Sequence, residues 1–180
     1  MKKVLKIIGI ILLMAIAFVL IAGIFVPKTY HLEKEITVNA PQEKVWGNVN
    51  SLQAMEKWSP WTDIDPAMKV SHEGQPGTVG SVYRWEGNSD AGSGNQTITK
   101  LQQPERVETH LNFIKPFKGK ADTYLILAPG GNATKVTWGF DTKYSYPMNV
   151  MQLFVDMDKM MGKQYDKGLS KLKTMMALLK

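Results

Sequence analysis

The sequence predicts an α+β fold in which a curved antiparallel sheet of six to seven strands packs on one long C-terminal helix, preceded by one transmembrane helix. Three observations support this prediction. Strand-like segments follow one another with turn residues, and not helices, between them. A helical apolar pattern closes the chain. An uncharged apolar segment near the N-terminus is long enough to cross a bilayer.

The N-terminal apolar segment runs from Ile7 to Val26 without a charged residue. As a helix it would be about 30 Å long, which matches the hydrocarbon thickness of a bilayer. A cleavable signal peptide is the alternative, but its apolar region is usually about 7 to 15 residues long and ends in a small-residue cleavage site. Residues 22–26 match such a site poorly. We therefore predict a single-pass anchor that contacts the bilayer through residues 7–26.

The distribution of charge predicts the orientation of this anchor. The chain carries 22 basic and 16 acidic residues and a net charge of +6. Lys2, Lys3 and Lys6 precede the apolar segment and supply half of that excess. The positive-inside rule then predicts a cytoplasmic N-terminus and an extracytoplasmic domain. The rest of the chain has an ordinary surface charge without a clustered basic face, so we expect no nucleic-acid partner.

Several kinds of chemistry are excluded or unsupported by the residue inventory. The chain has no cysteine, which excludes disulfides, thiolate nucleophiles and thiolate metal ligands. It also lacks the common hydrolase, metalloprotease, nucleotide and dinucleotide motifs. Asp63 and Asp65 lack further patterned ligands, and Asp65-Pro66 is a typical turn. We predict no catalytic residue, no metal and no cofactor.

Residues 1–27 are assigned to the cytoplasmic start and the transmembrane helix, and residues 28–180 to one domain. The first strand is predicted over 31–38, where Leu32, Ile36 and Val38 share one face. Pro41 and Glu43 indicate a helix over 42–49, followed by a short helix over 51–57. Six further strands are predicted at 68–73, 78–86, 96–101, 106–113, 120–127 and 133–140.

The closing helix is predicted to begin after Pro147 and to run to about Leu178. Its apolar stripe repeats at spacings of three and four residues and consists of Val150, Phe154, Met157, Met161, Tyr165, Leu169, Leu172, Met176 and Leu179. A second face carries lysines at every fourth position, which we interpret as solvated: Lys159, Lys163, Lys167 and Lys171. A helix of this kind along a curved sheet leaves a cavity between the two layers.

Four segments of the domain carry a family resemblance. They read VNAPQEKVWGNVNSLQAMEKWSPW at 38–61, GTVGSVYRWEGN at 77–88, TKVTWGF at 134–140 and DKGLSKLK at 166–173. With these segments the chain resembles the START-like superfamily over 30–180, in particular its polyketide cyclase/dehydrase branch, also called SRPBCC. The resemblance implies the helix-grip fold and a deep pocket for a hydrophobic small molecule or lipid. Because members include carriers, receptors and cyclases, it indicates binding more firmly than a reaction.

Within such a pocket we expect nine side chains to contact the ligand: Trp58, Trp61, Tyr83, Trp85, Phe113, Trp138, Phe154, Met157 and Met161. The resemblance implies that the Trp58–Trp61 element lies beside the entrance, whereas packing in the core is the alternative for either tryptophan. The sequence leaves open whether five polar side chains face the pocket or the solvent: His72, Tyr83, Arg84, Glu86 and Tyr124.

Three functions are compatible with these observations. The first is a membrane-anchored protein that binds a hydrophobic small molecule or lipid between the sheet and the C-terminal helix. The second is a cyclase or dehydratase that acts on a polyketide-like substrate. The third is an interaction or stress module with a filled core and no ligand. The sequence favours the first, because it contains a predicted cavity and no recognisable catalytic motif.

Overall fold

The N-terminal helix, α1, extends over Lys2–Phe25. The structure is a computed structural model that describes residues 1–179. Lys180, the last residue of the predicted domain, lies outside them. Helix α1 is long and apolar enough to cross a membrane, a property that it shares with signal sequences. Its only buried residue among those described is Gly23, near its C-terminal end.

Seven antiparallel strands form one sheet in the order β1-β7-β6-β5-β4-β3-β2. Strands β2 to β7 pair in sequence order, whereas β1 pairs with β7 and lies at the opposite edge of the sheet from β2. The strands are Thr29–Val38 (β1), Lys69–Glu73 (β2), Val82–Glu86 (β3), Ser93–Gln102 (β4), Arg106–Lys115 (β5), Gly119–Gly130 (β6) and Ala133–Lys143 (β7). The predicted α+β fold with its curved antiparallel sheet is confirmed.

Strand β1 shows how the period of two assigns side chains to the faces of the sheet. Leu32 lies opposite Phe140 of β7, and both side chains are buried. Ile36 and Val38 lie on the same face as Leu32 and belong to the hydrophobic core or pack against it. The intervening side chains point to the other face, as alternation requires. The first strand was therefore predicted with the correct inward face.

Two short helices follow β1: α2 at Gln42–Trp46 and α3 at Leu52–Glu56. Ser51 caps α3, because its hydroxyl accepts a hydrogen bond of 3.2 Å from the amide of Ala54. Trp58 follows α3 in the chain, and its indole N–H donates a hydrogen bond of 2.9 Å to the carbonyl of Asn48. A 3₁₀ helix at Trp61–Asp63 completes this connection to β2.

The predicted start of the closing helix is wrong. Residues Met148–Leu153 form a separate 3₁₀ helix, and the long helix, α4, covers Met157–Leu178. The reason is local: the Asp156 side chain accepts a hydrogen bond of 2.9 Å from the amide of Lys159 and caps α4 there. Phe154 therefore precedes α4 and does not belong to its apolar stripe.

The buried face of α4 packs on the sheet around one aromatic pair. The rings of Trp138 on β7 and Tyr165 on α4 stack with their centroids 4.0 Å apart. Leu169, Leu172 and Met176 continue the buried face toward the C-terminus. A Cβ atom at Gly168 would lie 2.7 Å from the Trp138 ring, so a glycine is needed for this close approach.

Two lysines of the predicted solvated face of α4 also form ion pairs. Lys167 and Lys171 lie 2.8 and 3.0 Å from Asp63, and their side chains remain 51% and 33% exposed. The pairs join the loop after α3 to the C-terminal helix. Asp65 acts as predicted for a turn residue, because its carboxylate accepts a hydrogen bond of 3.0 Å from the amide of Ala67.

Candidate ligand-binding cavity

A cavity of about 2050 Å³ lies between the concave face of the sheet, the α3 region, residues 144–155 and α4. Pockets for small molecules usually have about 300 to 1,000 Å³. The cavity is therefore large enough for a molecule with the volume of a lipid. Its lining is mostly apolar and includes side chains from six of the seven strands.

An aromatic cluster lines the side of the cavity formed by β3, β4 and β5. Tyr83 and Trp85 stack with their ring centroids 6.1 Å apart, and Phe113 meets the Trp85 ring edge-on at 6.0 Å. Gly94 lies between Trp85 and Phe113 in the sheet. A Cβ atom there would lie 2.6 Å from the Trp85 ring, so the glycine leaves the space that the indole fills.

The opposite side of the cavity is formed by rings that belong largely to the core. Trp58 meets the Trp138 ring edge-on at 5.1 Å. Their exposed fractions are only 1% and 9%. Tyr165 is also buried, and burial raises the pKa of its hydroxyl above the ordinary value. These side chains form the floor of the cavity, and Trp58 lies in the core, as the alternative interpretation of the sequence allowed.

A short polar series crosses the apolar lining. The Gln96 amide donates a hydrogen bond of 2.8 Å to the hydroxyl of Thr109, which lies 2.7 Å from the hydroxyl of Thr123. Tyr83 lies nearby on β3, and burial raises the pKa of its hydroxyl to about 12. At neutral pH this hydroxyl is therefore a neutral donor and acceptor. These groups can bind the polar part of an otherwise apolar molecule.

One titratable pair lies at the edge of the cavity. The Nε2 atom of His72 on β2 lies 3.1 Å from a carboxylate oxygen of Glu56 on α3, and Glu56 lines the cavity. The His72 ring also lies 5.3 Å from the ring of Tyr83. His72 itself does not line the cavity, so a bound molecule would contact the Glu56 carboxylate and not the imidazole. A carboxylate held in this way can exchange a proton with a bound molecule.

The cavity extends to the end of the sheet where β1 begins and β7 ends. Thr29 pairs with Lys143 at this end, and both residues line the cavity. The β5–β6 hairpin turns at the same end and contributes Phe117, whose side chain is 80% exposed. Met148 and Met151 of the second 3₁₀ helix line the cavity and are also exposed. This end is the mouth of the cavity.

Eight of the nine predicted ligand-contacting side chains line the cavity: Trp58, Trp61, Tyr83, Trp85, Phe113, Trp138, Met157 and Met161. Phe154 does not. It is 69% exposed and lies outside the cavity, because the chain leaves the helical path before α4 begins. The geometric basis for including Phe154 was therefore wrong, and the binding role of the other eight is a proposal.

The polar side chains whose orientation the sequence left open lie on both faces of the sheet. Tyr83 faces the cavity. Arg84 is exposed and donates a hydrogen bond of 2.7 Å to Glu73 on the neighbouring strand. Tyr124 covers Gly139 on the convex face and donates its hydroxyl hydrogen bond to Glu33. Burial and this bond raise the pKa of Tyr124. Glu86 is exposed as well.

Sequence reasoning missed the two segments beside the mouth. Residues 144–155 lie between Lys143 and Asp156 and contain no charge. The apolar spacing in this segment fits a helix, which concealed it within the predicted C-terminal helix. The combination of Tyr144, Tyr146 and Pro147 before an uncharged run could have indicated a separate element. The hairpin around Phe117 was taken only as a turn.

The fold and the cavity together define the class of protein. A single long helix packed on a curved antiparallel sheet around an apolar cavity is the helix-grip arrangement. Residues 29–177 match the family model described as "Polyketide cyclase / dehydrase and lipid transport". The chain belongs to this family, as its resemblance to the SRPBCC proteins indicated.

Solved structures support the fold independently. The chain is similar to the Mll3558 protein from Rhizobium loti, with 17% identity, a TM-score of 0.59 and coverage of 81% of this chain and 96% of that one. A protein from Thermobifida fusca has 17% identity, a TM-score of 0.62 and coverage of 83% and 95%. The protein XoxI from Bacillus cereus has 16% identity, a TM-score of 0.58 and coverage of 83% and 96%. Among curated proteins, none matches the sequence.

Proposed function

We propose that this protein is a membrane-anchored binding protein for a hydrophobic small molecule or lipid, which it holds between the sheet and α4. The cavity of about 2050 Å³ carries this proposal, because it combines an apolar aromatic lining with a small polar series. Thr109 and Thr123 would orient the polar end of the ligand, while Trp85 and Phe113 would contact its apolar part. The family description, which includes lipid transport, supports the same function.

The contact between α1 and the domain supports an anchor that remains attached. The Asn149 side chain is fully buried and donates hydrogen bonds of 2.8 Å to the carbonyls of Gly23 and Val26. Removal of α1 as a signal peptide would break both bonds and expose the surface of the domain that α1 covers. The domain is thus suited to a retained helix.

The direction of the anchor follows from the charges beside it. Lys2, Lys3 and Lys6 precede the apolar span, and Lys28 and Lys34 follow it. This asymmetry favours a cytoplasmic N-terminus, with residues 28–180 outside the cytoplasm. Protease added to cells with a permeable outer layer would then digest the domain. Complete protection of the domain in those cells, with digestion after lysis, contradicts this orientation.

Ligand binding can be tested by native mass spectrometry of the full chain purified in detergent. We expect an apolar molecule to remain bound through gentle exchange of the detergent. Leu111 lines the cavity, so Leu111→Trp should fill part of the space and reduce the retained molecule at least several-fold. Val79→Trp is the matched control, because Val79 is 60% exposed and does not line the cavity. Equal retention in both variants would contradict the proposed site.

The pair of His72 and Glu56 favours a second candidate function, a cyclase or dehydratase reaction on a polyketide-like substrate. Glu56 lines the cavity and lies 3.1 Å from His72, so its carboxylate can remove or return a proton while the imidazole positions it. Under this hypothesis Glu56→Gln would abolish turnover of a poly-β-ketone analogue without releasing it from the cavity. Retention of the analogue without turnover by the unaltered protein would leave binding as the function.

A further inference from the structure

Residues 144–155 form an uncharged segment that packs directly on α1. Besides the Asn149 contacts, the Gln152 amide donates a hydrogen bond of 2.7 Å to the carbonyl of Pro27. The hydroxyl of Tyr146 donates one of 3.0 Å to the carbonyl of Leu20. A Cβ atom at Gly23 would lie 3.0 Å from the Tyr146 ring, so this glycine allows the two elements to touch. The segment and the end of α1 form one continuous surface.

The Tyr146 contact fixes the depth that this segment reaches along α1. Leu20 lies six residues before Val26, the last residue of the apolar span. At 1.5 Å per residue, this distance is about 9 Å along the helix axis. A segment that reaches this level beside a membrane-spanning helix lies within the interfacial layer, where amphipathic segments usually bury their apolar side to a depth of about 5 to 10 Å.

The side chains of the segment suit that layer. Met148, Met151, Leu153 and Phe154 have exposed fractions of 56%, 49%, 54% and 69%. So much exposed apolar surface on one short segment is unfavourable in water and favourable against lipid. Tyr146 belongs to the residue type that is enriched at the boundary between hydrocarbon and headgroups.

We propose that residues 144–155 are a second membrane contact, inserted into the interfacial layer of the bilayer that α1 crosses. This inference rests on the proposed anchor and extends the proposed function. Because Met148 and Met151 also line the cavity, the insertion places one side of the cavity mouth against lipid. The ligand class is then a membrane lipid or another amphiphile that enters sideways from the adjacent leaflet.

The β5–β6 hairpin supports the same arrangement on the other side of the mouth. Phe117 is exposed at the tip of the hairpin, and three lysines flank it in the sequence: Lys115, Lys118 and Lys120. The pairing of Ala121 with Thr142 shows that the hairpin lies at the end of the sheet that carries residues 144–155. Lysines beside an exposed aromatic ring suit anionic phospholipid headgroups. Lipid would thus adjoin the mouth from both sides.

Site-directed spin labelling of the full chain in nanodiscs with phosphatidylglycerol tests this proposal. The chain contains no cysteine, so single cysteines can be introduced without other changes. Nitroxide labels are placed at the exposed positions Leu153, Phe154 and Phe117. Ile16 on α1 serves as the reference within the bilayer, and Ser170 on α4 as the reference in water. Collision rates with oxygen and with a water-soluble nickel chelate then report the depth of each label.

We expect the ratio of oxygen to nickel collisions at 153 and 154 to exceed that at Ser170 several-fold and to approach that at Ile16. The label at 117 should lie at headgroup depth, between the two references. Values at 153 and 154 equal to that at Ser170 overturn the proposal, and the same result at 117 overturns the position of the mouth. In either case, a lipid-exposed label at Ile16 shows that α1 still spans the bilayer, so the failure concerns the second membrane contact and not the anchor. Mass spectrometry measures ligand retention independently of both.

Discussion

The Asp63 carboxylate lies 3.0 Å from the Nζ atom of Lys171, which joins the loop after α3 to the C-terminal helix. Lys167 approaches the same carboxylate at 2.8 Å. The hydrogen bonds from Lys167 and Lys171 hold the pKa of Asp63 below its usual range. Trp61 begins the 3₁₀ helix that contains Asp63. The ion pairs therefore help to position a side chain that lines the cavity.

Replacement of Asp63 by Asn should lower the free energy of unfolding by less than about 1 kcal/mol at neutral pH, because the Asp63 side chain is 41% exposed. A carboxylate with a lowered pKa in the folded state stabilises above its unfolded pKa and loses this effect as pH falls through the folded value. The difference from the unaltered protein should therefore vanish in acid. Urea titrations at neutral and acidic pH measure it.

Glu86→Gln provides the control for this experiment, because Glu86 is exposed and forms no ion pair within residues 1–179. It removes one negative charge without breaking a pair. Added salt should reduce the effect of Asp63→Asn, since screening weakens exposed ion pairs. An Asp63→Asn difference that persists unchanged below the ordinary aspartate pKa would contradict the role of the ion pairs.

The two tryptophans of the Trp-Ser-Pro-Trp element should respond differently to truncation. Trp58→Ala should cost about 3 to 5 kcal/mol of stability, because the indole is buried and bonded to Asn48. Trp61 is only partly buried and lines the cavity. Trp61→Ala should therefore weaken ligand retention more than it lowers stability. Denaturation and mass spectrometry of both variants measure these effects, and unchanged retention by folded Trp61→Ala would place Trp61 in the core alone.

Two glycines of α4 form a matched pair for testing its packing. A Cβ atom at Gly168 would meet the Trp138 ring at 2.7 Å, whereas one at Gly162 would meet the flexible end of Lys34 at 3.2 Å. Gly168→Ala should destabilise by about 1 to 3 kcal/mol through overpacking. Gly162→Ala should be neutral or stabilise by up to about 1 kcal/mol, because alanine favours the helix. Similar unfolding free energies for the two variants would contradict the close contact of Gly168.

The sheet could be predicted because its evidence is local. In β1, Leu32 and Val38 alternate with polar residues, and Pro-Gly or Gly-Asn dipeptides mark turns between strands. The family resemblance implied a pocket, whereas the sequence left open the orientation of individual side chains such as Tyr83. The strand predictions therefore depend on residues close together in the sequence, and the predicted pocket does not.

The surroundings of the mouth could not be predicted, because they depend on contacts between distant segments. The apolar spacing of residues 148–154 fits an α-helix, yet Asn149 bonds to Gly23 and the chain turns before Asp156 caps α4. Asp63 and Lys171 likewise meet only in the folded chain. A periodic pattern reports which side of an element is apolar and does not report which partner covers it.

Met157 and Met161 lie one turn apart at the start of α4, and both line the cavity. Methionine is flexible and polarizable, so this face can adapt to apolar molecules of different shape. Met157→Leu and Met161→Leu nearly conserve volume and should each cost less than about 1.5 kcal/mol. The branched side chain is less adaptable, so both variants should shift ligand preference between acyl chains of different length.

Leu178→Met is the control, because Leu178 is 81% exposed and lies outside the cavity. Chemical denaturation and competition between two fatty acids on the same samples separate the effects. Unchanged preference in both leucine variants would show that this face of α4 is not the binding surface.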